Sequence, residues 1–327
     1  MWVADGYTVE KVSGPDLTSY PMFATSDHEG RLFVFESTGP NTMSTEEMLE
    51  NPSYRISILK DLTGDGVYDE SKVFADSLPL PQGGYFYQGS LYVSASPDLL
   101  RLTDTTGDGV ADQREVILTG WTLNVNACTL QGPFFGPDGW LYMPDCRRGY
   151  RIETKEGDLL EGKGARIWRV RPDGTGLEWV SAGGFDNAIE LAFMPSGEVI
   201  GTMTYFTNPQ HGQRDALMHW VEGGVYPKSH SVIEEDELIR TGDLMPVMTK
   251  LPRVAPAGLH RYRGIGNDSE LKNNLFSAHF NTGRVIRSEI SRDGATFKTE
   301  DEEFFYSNTP RFHPTDVLED ADGSLLV

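Results

Sequence analysis

Cysteine is scarce: Cys128 and Cys146 are the only two in 327 residues. Two are too few to staple a scaffold, and no Cys-x-x-Cys-His pattern for attaching haem occurs. No stretch of about 18 apolar residues exists, which excludes a helical membrane span. The residues after Met1 (Trp2-Val3-Ala4-Asp5) form neither a basic n-region nor an apolar h-region, so no signal peptide is expected in this stretch. Basic residues are the third shortage, with 28 Lys and Arg against 49 Asp and Glu and a formal net charge of −21. A phosphate backbone needs a basic face, so nucleic acid is excluded as a partner. The acidic surplus suits solubility and a compartment that contains calcium.

Turn formers are abundant, with 35 Gly and 19 Pro. Short apolar runs recur between them, which reads as all-β. One pattern, two apolar strands around a tight turn, recurs six times. It appears at Phe23 to Val34, Tyr85 to Val93, Phe134 to Tyr142, Leu191 to Ile200, Leu259 to Phe276 and Val317 to Val327. Glycines such as Gly139 supply the positive φ that these hairpins require. Most units continue into a second hairpin, for example Tyr54 to Leu59 with Lys72 to Phe74. Four antiparallel strands at a period of roughly 50 to 60 residues make a propeller blade. The expected fold is therefore an all-β, six-bladed β-propeller with four-stranded blades, a single domain over residues 1–327. The last unit holds only two strands, so the last blade is expected to be incomplete and the natural protein to continue beyond residue 327. Tyr7 to Val12 is expected as an outer strand that helps close the ring. The segment at about 205–254 departs from the pattern. Gln213 to Val221 has helical spacing, and the segment reads as a lid over the channel or as a packed insertion.

Two loops share a spacing of oxygen ligands with Gly at the sixth position, the spacing of a calcium loop. The first offers Asp61, Thr63, Asp65 and Asp69; the second offers Asp104, Thr106, Asp108 and Asp112, with Glu115 placed to complete the shell. Both join the third and fourth strands of a blade, so any calcium there is structural.

Several segments resemble the glucose/sorbosone dehydrogenase-like propellers. They are most similar to a bacterial family of membrane-bound dehydrogenase type, whose chains often continue into a c-type cytochrome. The segments are Phe135-Gly136-Pro137-Asp138-Gly139-Trp140-Leu141-Tyr142, Val254 to Leu259, Asn274-Leu275-Phe276, Gly283 to Arg287, and Asp316-Val317 with Asp322-Gly323. The resemblance implies a ligand site at the channel top. Where quinone-dependent members carry a His base before the blade-three turn, this chain has Cys128. The quinone-contacting approach to blade four reads Asp186-Asn187-Ala188-Ile189-Glu190, a Lys position in blade five looks like Asn281, and two Arg positions look like His313 and Thr315. Pyrroloquinoline quinone is a tricarboxylate and needs cationic partners, so its binding in the family's manner is doubted.

The candidate ligand-facing residues are Asp186, Asn187, Glu190, Arg147, Arg148, His211, His279, Asn281, Arg284 and His313; no catalytic residue is assigned. His279, His313, Asp186 and Glu190 together offer donors for a divalent metal. Cys128 and Cys146 flank the blade-three hairpin and are candidates for a disulfide. Tyr85, Phe86, Tyr205 and Phe206 are candidates for stacking on sugars. The resemblance implies an exported, periplasmic or extracellular oxidoreductase that oxidises a sugar or polyol and passes electrons to a cytochrome. The alternatives are a non-enzymatic propeller that binds carbohydrate or protein, and a metal-dependent hydrolase or lyase.

Overall fold

The computed structural model describes residues 1–39, 43–125, 129–204, 214–228, 230–265 and 270–327. Five antiparallel sheets surround one axis. Blade one is Pro21–Ser26, Leu32–Glu36, Tyr54–Lys60 and Glu70–Leu78. Blade two is Gly84–Tyr87, Ser90–Ala95, Asp98–Thr103 and Gln113–Thr119. Blade three is Phe134–Phe135, Leu141–Asp145, Arg166–Val170 and Glu178–Gly183, with Val225–Tyr226 added in parallel at its outer edge. Blade four is Leu191–Phe193, Val199–Met203, Asp215–Trp220 and Thr249–Leu251. Blade five is Pro256–Arg261, Leu275–His279, Arg284–Asp293 and Thr296–Tyr306.

The core lies between blades. Every residue of Leu32–Glu36, Ser90–Ala95, Leu141–Asp145, Val199–Met203 and Leu275–His279 is buried. A strand covered on both faces by neighbouring sheets is apolar on both faces, which is why these runs read as near-continuous rather than alternating. Phe33, Phe35 and Ile56 of blade one pack with Leu91, Val93 and Leu100 of blade two. Tyr142 and Ile167 of blade three pack with Val199, Met203 and Met218 of blade four in the same way.

The expectation of six blades is corrected to five. After Val317 the described chain holds only the two-stranded hairpin of Leu318–Glu319 with Leu325–Leu326. Leu318 and Leu326 pack with Leu32 and Leu59, so the hairpin sits beside blade one. Tyr7 to Val12 is not a strand; Trp2–Val3 pairs with Phe305 and Tyr306 as the outermost strand of blade five. The helical spacing of Gln213 to Val221 was misleading. Asp215–Trp220 is the fully buried third strand of blade four, and a strand covered on both faces carries no alternation to betray it. Residues 221–248 then hold Val225–Tyr226 and the short helix Val232–Glu235. Blade three also carries an unexpected side hairpin, Tyr150–Glu153 with Leu159–Gly162. No helix among the described residues is long and apolar enough to cross a membrane.

Candidate functional site

The innermost strands line an axial cavity of about 880 Å³. Its wall includes Asp27 and His28 of blade one, Tyr87 of blade two, Pro137 of blade three and Ala321 of the final hairpin, all in or beside turns between first and second strands. The cavity therefore reaches the mouth on that side, here the lower mouth. The segments that lead into the inner strands mark the upper mouth. Tyr85, Phe86 and Tyr87 give the wall aromatic surface, and Phe135 stacks on Tyr85 at 5.4 Å and on Tyr87 at 4.4 Å between ring centres.

Four buried carboxyls line this cavity: Asp27 and Glu319 are paired with Arg31 and Arg263, and the other two are Glu190 and Asp316. Glu190 precedes the inner strand of blade four and accepts a hydrogen bond from the Leu259 N–H at 3.3 Å. Asp316 precedes the final hairpin and accepts from the Ala24 N–H of blade one at 2.8 Å. Gly258 makes this convergence possible, because a Cβ there would stand 2.6 Å from the Asp316 Cα. Burial pushes the Asp316 carboxyl up to about 6, although the Ala24 and Val317 N–H groups pull the other way. Burial, and then the neighbouring Asp316 charge, push Glu190 well above the usual carboxylate range. Two carboxyls in one dry site cannot both ionise cheaply, so near neutrality the pair retains a proton. Asp316 was not among the candidate site residues expected from sequence; it was noted there only within the Asp316-Val317 segment that heads the last repeat and carries the family resemblance.

The upper mouth divides the other candidates into two groups. Arg147 Nε and Lys228 Nζ each approach Asp186 at 3.0 Å. Beside them Cys146 Sγ lies 3.6 Å from Asn187 Oδ1, and Asn187 holds a φ of +31°. Cys146 is buried; Cys128 lies outside the described residues, as do His211, Tyr205 and Phe206. In the second group His313 stacks on Phe280 at 4.6 Å, and its Nδ1 lies 2.9 Å from the Phe280 carbonyl oxygen. The Asn281 N–H donates to the Val254 carbonyl. His279 is buried with Nε2 3.1 Å from Ser277 Oγ, and burial pushes it down to about 4. Arg284 turns outward onto Glu303 and the Tyr306 ring. Arg148 belongs to a separate cleft beside blade three. The expected metal set of His279, His313, Asp186 and Glu190 is not brought together; among the described residues no three His, Cys, Asp or Glu side chains converge on one point. Each histidine is drawn instead to a partner of its own blade or the adjoining loop.

In the Asp-rich loops the first carboxylate accepts backbone N–H groups of its own turn. Asp61 accepts N–H groups from Gly64 and Gly66, and Asp104 accepts them from Gly107 and Gly109. Glu115, expected to complete the second shell, is drawn across the blade to Arg101, its partner on the neighbouring strand. Lys72 Nζ takes the Asp108 carbonyl oxygen. Thr63 and Thr106 turn their hydroxyls to Asp61 and Asp104, while Asp69 caps the Leu62 N–H and Asp112 the Thr105 N–H. Asp65 and Asp108 likewise cap Val67 and Val110. The carboxylates act here as turn caps.

The quinone's fit can be judged on the same geometry. The upper mouth does contain cations, and Lys228 was missed from sequence because it arrives from the blade-four insertion. Both cations are engaged by Asp186, and the axial cavity next to them presents Glu190 and Asp316, with its two arginines, Arg261 and Arg263, apart from these at the lower mouth. A tricarboxylate does not fit that donor set.

Comparison with solved structures shows the same fold at low identity. The iodide structure of the Trichoderma reesei carbohydrate-active enzyme of family AA12 is 12% identical, with a TM-score of 0.66 over 99% of this chain and 93% of that one. The PQQ-bound aldose sugar dehydrogenase of Streptomyces coelicolor is 16% identical, with a TM-score of 0.61 over 94% and 87%. An oxidoreductase of Thermus thermophilus, assigned as a glucose dehydrogenase, is 18% identical, with a TM-score of 0.64 over 97% and 91%. No curated protein sequence matches significantly. The model of the domain of unknown function DUF7133 matches residues 1–327, and the chain belongs to that family.

Proposed function

We propose that the chain is a dehydrogenase-like propeller whose axial channel binds a sugar or polyol, with Glu190 and Asp316 holding its hydroxyl groups. One observation carries the reading: two buried carboxyls share the wall of an open cavity, and the hydrogen bonds they accept come from backbone N–H groups. A protonated carboxyl donates and an ionised one accepts, which is the pairing that adjacent hydroxyls require. Asp316, titrating at about 6, is the group placed to take a hydroxyl proton. The fold shared with sugar dehydrogenases supports oxidation as the chemistry; it requires a hydride acceptor bound beside the sugar, and the reading includes a c-type cytochrome outside the cytoplasm that takes the electrons from that acceptor one at a time. A second reading, binding without oxidation, is favoured by the upper mouth, where Arg147 and Lys228 are both engaged by Asp186 and so are not offered to a quinone carboxylate.

The experiment is a panel of sugars and polyols scored by thermal shift and by reduction of an artificial electron acceptor. The reading expects stabilisation by at least one member and its loss in Asp316→Asn. Dye reduction selects oxidation; stabilisation without reduction selects binding alone. A panel without any shift overturns both.

A further inference from the structure

We propose that the lower mouth of the channel is an anion subsite, and that the ligand is a sugar of at least two units carrying a carboxylate at the end remote from Glu190 and Asp316. This rests on the reading of the channel as a sugar site. Arg261 ends the inner strand of blade five and Arg263 follows two residues later; both line the cavity. Two-residue spacing in extended chain sends both side chains the same way. Their charges crowd each other: burial, and then the Arg263 charge, hold Arg261 below the usual guanidinium range. Crowded cations on a cavity wall are the arrangement an anion relieves.

The donors that remain face no protein acceptor. Arg261 spends Nε on the Phe193 carbonyl at 2.5 Å and Nη1 on Asn273 Oδ1 at 2.8 Å. Arg263 spends Nε on Glu319 at 3.2 Å. Nη2 of Arg261 and both terminal nitrogens of Arg263 have no hydrogen-bond acceptor among the described residues. Glu319 is the local counter-charge, and it is already engaged by the N–H groups of Arg263 and Ile265 at 2.8 and 2.9 Å. Asp27, the other carboxylate of that wall, is held by Arg31 at 2.6 Å, so Arg261 and Arg263 share Glu319 as their counter-charge.

The channel is therefore bipolar along its axis. Glu190 meets blade five at Leu259, and Arg263 lies four residues further along the chain. Extended chain advances about 3.3 Å per residue, so the two ends stand roughly 13 Å apart. Arg261, two residues from Leu259, stands roughly 7 Å away and Arg263 roughly twice that, so reaching Arg263 from the acid pair takes a disaccharide with its acidic group at one end.

The test is calorimetric titration of a panel of neutral disaccharides and their uronate-terminated counterparts. The proposal expects the uronate forms to bind about tenfold tighter or better, the effect of one charge-assisted pair. Arg263→Gln should lower uronate affinity more than neutral affinity, Arg263→Lys should retain part of the preference, and added salt should weaken it. Equal affinities for both forms, or a preference that survives Arg263→Gln, overturns the anion subsite and leaves the sugar reading intact. Failure of every member to bind overturns both.

Discussion

Asp316 and His279 make opposite contributions to stability in one pH window. Asp316 rises from 3.8 to about 6 on folding, so between these values the folded state keeps a proton that the unfolded chain has released. Its contribution is present at low pH and is lost as pH rises through about 6. His279 falls from 6.5 to about 4, so there the unfolded chain binds the extra proton, and stability grows as pH rises. Melting curves across this window should have a slope against pH that is more positive in Asp316→Asn and more negative in His279→Gln than in the native protein; identical slopes in all three proteins would contradict the assignment. Asp145 is a cleaner case. Burial pushes it up to about 8, against a long contact with the Trp168 N–H at 3.5 Å. Asp145→Asn should therefore gain on the native protein as pH rises towards 8, read as the difference in urea midpoints. Arg166 and Asp236 form an ion pair at 2.8 Å with side chains 3% and 4% exposed. Arg166→Met strands the carboxylate and should cost about 3 to 5 kcal/mol in urea unfolding; a loss under about 1 kcal/mol would mean that water reaches Asp236.

At the scale of the element, turns and close approaches separate cleanly. Gly197 holds a φ of +95° with open space around it, so Ala there costs only backbone strain, about 1 kcal/mol. Gly258→Ala instead drives a Cβ against the Asp316 backbone, which can move only if the final hairpin moves. It should cost about 1 to 3 kcal/mol and abolish the sugar-induced thermal shift; a normal shift would show that Asp316 is not needed where it stands. Melting with excess calcium and with a chelator separates the two roles of the Asp-rich loops: a calcium-dependent rise marks a bound structural ion, and an unchanged melting temperature marks turn caps alone. The hairpin turns were legible because Gly at a fixed place between apolar runs has one physical cause. Asp215–Trp220 was not, since a strand buried on both faces loses the alternation that separates strand from helix. The Asp-rich loops were legible as turns, and carboxylates that cap N–H groups keep the same spacing as carboxylates that hold an ion, so the spacing by itself does not separate the two.

For the whole molecule, the wheel arrangement was written in the repeat; six blades with the last incomplete were expected, and the structure holds five, followed by a two-stranded hairpin. A two-strand repeat looks like the start of a blade, and only strand pairing decides whether a sheet follows. The channel was anticipated and its chemistry was not. Glu190 was read as an upper-mouth residue, yet its partner Asp316 comes from 126 positions later in the numbering, and Lys228 reaches Asp186 from an insertion with no strand pattern. Convergence across the ring leaves no trace in local spacing. The account stands on a ligand held inside the wheel, between the acid pair and the lower mouth. The direct measurement is a crystal structure of the protein soaked with the best-shifting sugar of the panel. The account predicts sugar density in the axial channel, with a hydroxyl within hydrogen-bond distance of Asp316. Density confined to the upper mouth beside Arg147 and Lys228, or to the outer rim, would contradict it.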